Sequence, residues 1–553
     1  MTFAPAPEAE SRTSSKLLAR ADTADLLLCG VGFLASLWLF FVLCENAGGL
    51  WRDEVGSARL AQLPTWSWMY ASVQEDSFPP LFNTCLRLWI MLGDTSDGWL
   101  QAWGYLTVLG LALALWWSTR TPAGTLPLLG GALVFFNPTM LYWGHSVRAY
   151  GLAAVLVVVF FGAIWRLAER PSPRIFVIAC LVAILNAQAC YQNAPLILTI
   201  SLAAAAVAAL RRLWVRSGLS LAPGFLAALS MLIHNAAIRD VQEWNILLRQ
   251  DIGIGLVFGK ISDALGSAGV AFTWIWVALA VGLGVFAIHT WLREGRAAIE
   301  REETRRAVFG FATVFFTLAI VVVFILRVSY PTQEWYYAPM MCLLAAALEF
   351  GLSPLWRFGG FRLARIAVVM VIIIGSIPAM WTRAHTRRTN MDLISAKLRS
   401  ESTPRDLILV RPFYCGIGFQ YYYKGSTPWM TIPPIAWSEV HNAYENVKPY
   451  MKQGEPMGST FERIAATLRG GGRVWFVGGV QFLQPNQRPP ASPPAPHPEF
   501  GWSDEMYTAI WGLQVGYFVQ NHVTAASVVP VPCALPVQKF ENLPLVQVSG
   551  WRE

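Results

Sequence analysis

Arg52, Asp53 and Glu54 sit together in Trp51-Arg52-Asp53-Glu54-Val55, a short polar stretch directly after a long apolar run. Glu75 and Asp76 add two acids a little further on. Three later breaks between apolar runs carry companion groups: Tyr142, His145, Arg148 and Tyr150; Arg239, Asp240 and Glu243; Arg327, Tyr330 and Glu334. A carboxylate beside lipid and partly desolvated can take a proton as a general base, and a nearby arginine can grip phosphate oxygens through two parallel hydrogen bonds. Plainer roles exist for the same residues. Asp53 and Glu54 suit hydrated acids at the end of a span, Asp76 a loop acid before a proline turn, and Arg148 an interfacial anchor whose stem snorkels.

These side chains share a surface only if the apolar runs between them cross a bilayer. Of 553 residues, 55% are hydrophobic, 13% aromatic and 14% charged, with a mean hydropathy of +0.44. That composition defines a polytopic α-helical membrane protein. A spanning helix needs roughly 20 apolar residues, because every backbone amide must be bonded inside lipid. Asp25 to Cys44 meets the requirement, as do stretches centred near Leu111, Leu133, Val157, Val182, Ala204, Leu229, Leu279, Val321, Leu344 and Val371. The count is about 11 transmembrane helices. The polar head, residues 1–24, carries Arg12, Lys16 and Arg20 but no small-residue cleavage site, so the first run is expected to stay as an anchor.

Basic loops resist translocation and set the orientation. Arg166, Arg170 and Arg174; Arg211, Arg212 and Arg216; Arg293, Arg296, Arg301, Arg305 and Arg306; and Arg357, Arg362 and Arg365 can all share the cytoplasmic side. The amino terminus is then cytoplasmic. Residues 45–98, Tyr142 to Arg148, Ala237 to Gly266, Ser329 to Trp335 and everything after Trp381 fall outside. Phe78 to Gly93 is apolar but short and opens with Pro79-Pro80, so it is laid on the outer surface beside an interfacial helix, Ala58 to Val73, with Trp66, Trp68 and Tyr70. The first outer loop, 45–98, becomes a structured platform, 25–381 the membrane domain, and 382–553 an extracytoplasmic α/β domain. Met391 to Leu398 and Phe461 to Leu468 have helical periodicity, and 406–410 and 473–477 read as strands. Gly470-Gly471-Gly472 runs from helix into strand, so it reads as a helix-ending turn rather than a phosphate cradle.

Cys415 and Cys533 lie in a compartment that permits oxidation, and a disulfide or two separate thiols both fit. The spacing of a structural zinc site is missing, although Asp53 and Asp76, with Glu54, could gather a divalent ion. The net charge of +8 follows from the cytoplasmic loops and calls for no nucleic acid.

The order Arg52-Asp53-Glu54, then Asp76-Ser-Phe-Pro79-Pro80-Leu81, then Tyr142-Trp-Gly-His-Ser-Val-Arg148-Ala-Tyr150 resembles that of the protein O-mannosyltransferases and their bacterial relatives, including the lipid A aminoarabinose transferases. These are GT-C glycosyltransferases. The resemblance covers the spans up to about Trp381 and is strongest in Met1 to Ala168. It implies inverting transfer of a sugar from a polyprenyl-phosphate donor to a lipid, glycan or protein acceptor outside the inner (cytoplasmic) membrane. Asp53 would be the catalytic base, with Glu54 in support. Arg148, then Arg327, would hold the departing phosphate, with Asp76, His145 and Tyr150 lining the substrate site. The chain departs from the family in having Phe78 before Pro79-Pro80, His145-Ser146 before Arg148, and Gln333-Glu334 ahead of a late span.

A transporter or flippase of a lipid-linked or small substrate is the alternative. It would favour ionisable residues near mid-helix and broken helix pairs, which are scarce. An assembly protein whose outer module does the work would not need so many spans.

Overall fold

The computed structural model describes residues 9–73, 76, 78–120, 126–234, 252–330, 332–436, 443–499 and 501–553. Among these, nine helices are long and apolar enough to cross a membrane: Thr23–Ala47, Asp97–Thr119, Tyr150–Glu169, Asn193–Leu210, Trp214–His234, Val270–Glu294, Glu302–Val328, Glu334–Arg357 and Gly359–Ala384. The chain is a multi-pass membrane protein. Two expected spans are shorter than the rest. The stretch near Val182 is the 17-residue helix Pro173–Ala189, and the stretch near Leu133 is Leu128–Phe135 followed by a π-helical turn, Met140–Gly144. Ser96 and Ser172 cap their helices by accepting from the amides of Trp99 and Ile175, and Pro173 takes a first-turn place where its missing N–H costs nothing.

Small residues let these helices approach. No Cβ fits at Gly104 against Phe40 and the His145 carbonyl, at Gly151 against Thr107 and the Gly144 carbonyl, or at Gly162 against Ser118. Ion pairs close the ends assigned to the cytoplasm. Asp25 of the first span binds Arg362 at 3.0 Å and also Arg365, while Glu169 accepts two hydrogen bonds from Arg305, at 2.8 and 2.7 Å. Such pairs hold helix ends in register because neither partner can leave without stranding a charge.

The segment between the first two spans differs from expectation. The helix predicted over Ala58 to Val73 is two helices, Arg52–Ala61 and Trp66–Ala71, broken at Leu63-Pro64 because proline cannot donate into a helix interior. The polar stretch 51–55 is therefore the start of a helix rather than a loop. Pro80–Leu92 follows with Pro80 in its first turn. Glu75, Arg239, Asp240 and Glu243 lie outside the described residues.

The C-terminal module is built on one five-stranded sheet of order β2-β1-β3-β5-β4: β1 Leu407–Val410, β2 Trp429–Thr431, β3 Val474–Val477, β4 Val523–Val529 and β5 Leu545–Trp551. The first three are parallel, and β5 joins β3 and β4 antiparallel. β1 and β3 are buried throughout because both faces are covered. Met391, Ile394, Leu398 and Phe419 pack with Ile408 and Trp475 on one face. Ile464, Leu468, Trp511 and Val515 pack with Leu409 and Phe476 on the other. Gly471, at φ +74°, turns the chain out of helix Gly458–Arg469. Cys415 and Cys533 are both free thiols.

Candidate active site

Helix Arg52–Ala61 presents its acids in the first turn, where the exposed amides favour negative charge. The two acids meet different fates. Glu54 has no exposed surface: Oε2 accepts from the Trp51 amide at 3.2 Å, Oε1 from the Val147 amide at 2.9 Å, and Arg388 Nη1 lies 3.1 Å from Oε1. Arg388 also donates to the Tyr142 carbonyl at 2.8 Å. Glu54 thus ties the helix to the Tyr142–Arg148 turn and to the first residues of the C-terminal module. Asp53 is the accessible carboxylate, its side chain 35% exposed, with Arg52 Nε at 3.3 Å.

Arg148 lies behind Asp53. One nitrogen, Nη1, donates to the Asp53 carbonyl at 2.9 Å, Ser57 Oγ at 2.7 Å and Asp76 Oδ1 at 3.2 Å, while the guanidinium stacks 4.5 Å from the Phe78 ring centroid. Asp76 Oδ2 accepts from Ser57 and from Asn83 Nδ2. Ser57 accepts from the arginine and donates to the acid, as one hydroxyl can. Tyr150 is buried against Phe78 and Tyr336, with centroids 5.2 and 6.0 Å away. Asp53, Asp76, Arg148 and Tyr150 therefore converge.

His145 and Arg327 stand apart from that cluster. His145 is buried on Thr107 Oγ1 at 3.0 Å and beside Phe40. It lines a small cavity with Glu54, Gln101 and Arg388, and burial and Arg388 pull its pKa down to about 3, so it is neutral. Arg327 is exposed in the last turn of Glu302–Val328 and has no ion pair among the described residues. Glu334 accepts from Trp143 Nε1 at 3.0 Å and pairs with Arg383 at 3.3 Å. Among the described residues no three of His, Cys, Asp and Glu gather to hold a metal ion.

Sequence reasoning missed the groups supplied by the C-terminal module. Buried Glu541 accepts from the Arg52 amide at 2.9 Å, capping the helix that carries Asp53. Tyr414 stacks on Arg52, its ring centroid 4.3 Å from Cζ. Half-buried Asp504 faces the same arginine, its pKa raised to about 6 mainly by burial. Such contacts join distant parts of the chain and leave no periodic trace.

Burial raises the Glu541 pKa from its ordinary 4.5 to about 7. Between those values the folded chain holds a proton that the unfolded chain has lost, so this group's contribution to stability falls as pH rises from 4.5 to about 7 and is flat above. Glu541→Gln should flatten that slope in thermal unfolding followed across the same range. An unchanged slope would show that other groups cause it.

No protein-family model matches the sequence, and no curated protein matches it. Among solved structures the chain is similar to ArnT from Cupriavidus metallidurans bound to undecaprenyl phosphate, with a TM-score of 0.54 and 12% identity over 94% of this chain and 97% of that one. It is also similar to the same protein in the apo state, TM-score 0.45 and 13% identity over 81% and 92% of the two chains. The apo oligosaccharyltransferase of Archaeoglobus fulgidus gives 0.45 and 11% over 82% and 69%. The last two overlap too loosely to bear on the fold. The ArnT likeness establishes the fold: a polytopic helical protein of GT-C type with a small C-terminal sheet.

Proposed function

We propose that the protein is an inverting glycosyltransferase that moves a sugar from a polyprenyl-phosphate donor to an acceptor on the outer side of the cytoplasmic membrane. The observation that carries this reading is the partly exposed Asp53 backed by the buried Arg148, at the start of a helix that follows directly on the first span. A polyprenyl tail lies in lipid with its headgroup at the surface, so a base just past a span end is placed to meet it.

In the proposed step Asp53 takes the acceptor hydroxyl proton as the oxygen attacks the anomeric carbon from the face opposite the phosphate. The new C–O bond forms as the old one breaks, and its electron pair leaves with the polyprenyl phosphate. The leaving phosphate gains charge that a fixed guanidinium stabilises. Arg148 spends only Nη1 on Asp53, Ser57 and Asp76, which leaves the rest of its fork for a phosphate oxygen. Arg52, pointing across Asp53, is the second cation. Asp76 fixes Arg148, Tyr150 packs on the Phe78 ring that the arginine stacks against, and Glu54 fixes the base's helix.

Purified protein assayed with a panel of polyprenyl-phosphate sugars should release the free carrier phosphate from at least one donor. Vectorial movement of intact donor across proteoliposomes without release would favour a flippase instead.

A further inference from the structure

The parallel part of the outer sheet reverses its direction of travel between β1 and β3. β1 leads to β2 on one side, and the chain then crosses back to β3 on the other. Ligands of open α/β sheets bind outside the carboxyl ends of the strands at such a reversal. Here the amino edge is closed: Asp406, before β1, pairs with Arg473, before β3, at 2.8 Å.

The carboxyl edge holds an uncompensated cation. Arg411 follows β1 directly, its amide bonded to the Val477 carbonyl at 2.8 Å. Its guanidinium lies flat on helix Asp504–His522 at Gly512, where a Cβ would leave it no room. One nitrogen donates to Gln481 Oε1 at 3.0 Å, Nε is enclosed without a hydrogen bond, and no carboxylate pairs with the group among the described residues. A half-buried guanidinium without a counter-charge is costly, and cations left in that state mark sites that await an anion. Tyr414, three residues on, stacks on Arg52, which reaches Asp53. Tyr414 thereby links this edge of the sheet to the arginine beside the proposed base.

We infer that Arg411, with Gln481 and Tyr414, forms an anion subsite for the acceptor: a carboxylate or phosphate carried on the same molecule as the attacking hydroxyl. The inference rests on the transferase reading for the identity of the ligand, but its test needs no turnover. Methyl β-glucuronide and methyl β-glucoside differ in one carboxylate, and calorimetric titration of each into the full-length detergent-purified protein measures what that carboxylate adds.

The wild type should prefer the glucuronide by about tenfold, the scale of one charge-assisted bidentate contact. Inorganic phosphate should compete. Arg411→Gln should erase the preference while the glucoside binds as before, and Arg411→Lys, which keeps the charge but loses the fork, should keep part of it. If Arg411→Gln does not fold, the lysine variant decides, since an undiminished preference in it overturns the subsite. So do equal affinities in the wild type, no binding of either probe, or a preference that survives Arg411→Gln. Asp53→Asn should keep the preference, so failure of the base assignment and failure of the subsite give different results.

Discussion

Asp53→Asn is expected to cut carrier release from a polyprenyl-phosphate sugar by a factor of about 10² to 10⁴, the range that a positioned general base supplies. The substitution is nearly isosteric. Arg148 holds residue 53 through its backbone carbonyl, and Arg52 can donate to an amide oxygen as it does to a carboxylate oxygen. The fold and the donor affinity should persist. Only the proton acceptor is lost, so the loss should appear in kcat with little change in KM for the donor. Steady-state kinetics in proteoliposomes, with gel filtration to confirm a folded protein, provide the check. Wild-type turnover in this variant would remove Asp53 from the mechanism.

Glu54→Gln should produce the largest loss of stability. The Glu54 carboxylate accepts from two backbone amides and faces Arg388, all without solvent. A glutamine presents one amide nitrogen where an acceptor is needed and leaves the arginine charge uncompensated. Breaking a buried pair from one side costs about 3–5 kcal/mol. Thermal unfolding followed by tryptophan fluorescence should shift down accordingly, and activity should fall with the folded fraction. Adding Arg388→Met should recover part of the loss, because the stranded charge goes with it. A double variant less stable than Glu54→Gln would mean that Arg388 matters chiefly for its bonds to other groups, such as the Tyr142 carbonyl.

Some of this arrangement is legible in the sequence and some is not. The spans are, because lipid permits one solution for the backbone and apolar length alone reveals it. Asp53, Asp76 and Arg148 could be nominated because each is a charged group stranded between apolar runs. The start of a helix at Arg52 was harder to see, since Trp51 is not a side chain that caps. The available signal was Glu54 in the third helical position, the place from which a glutamate reaches back to the amide before the helix. β2, only three residues long, and β4, mostly exposed, carry little hydrophobic pattern to read. Arg388, Asp504 and Glu541 were invisible as site residues for another reason. Each acts through tertiary contacts to residues far away in the chain, and a lone charge looks like any other until the chain is folded.

The Glu541 carboxylate caps an amide 489 positions earlier in the chain. During synthesis the spans enter the bilayer in order, and the Arg52 amide has left the ribosome while the residues that cover it have yet to emerge. A nascent chain therefore passes through a stage with its spans in lipid and the helix that carries Asp53 uncapped. Docking of the C-terminal segment is what completes that cap.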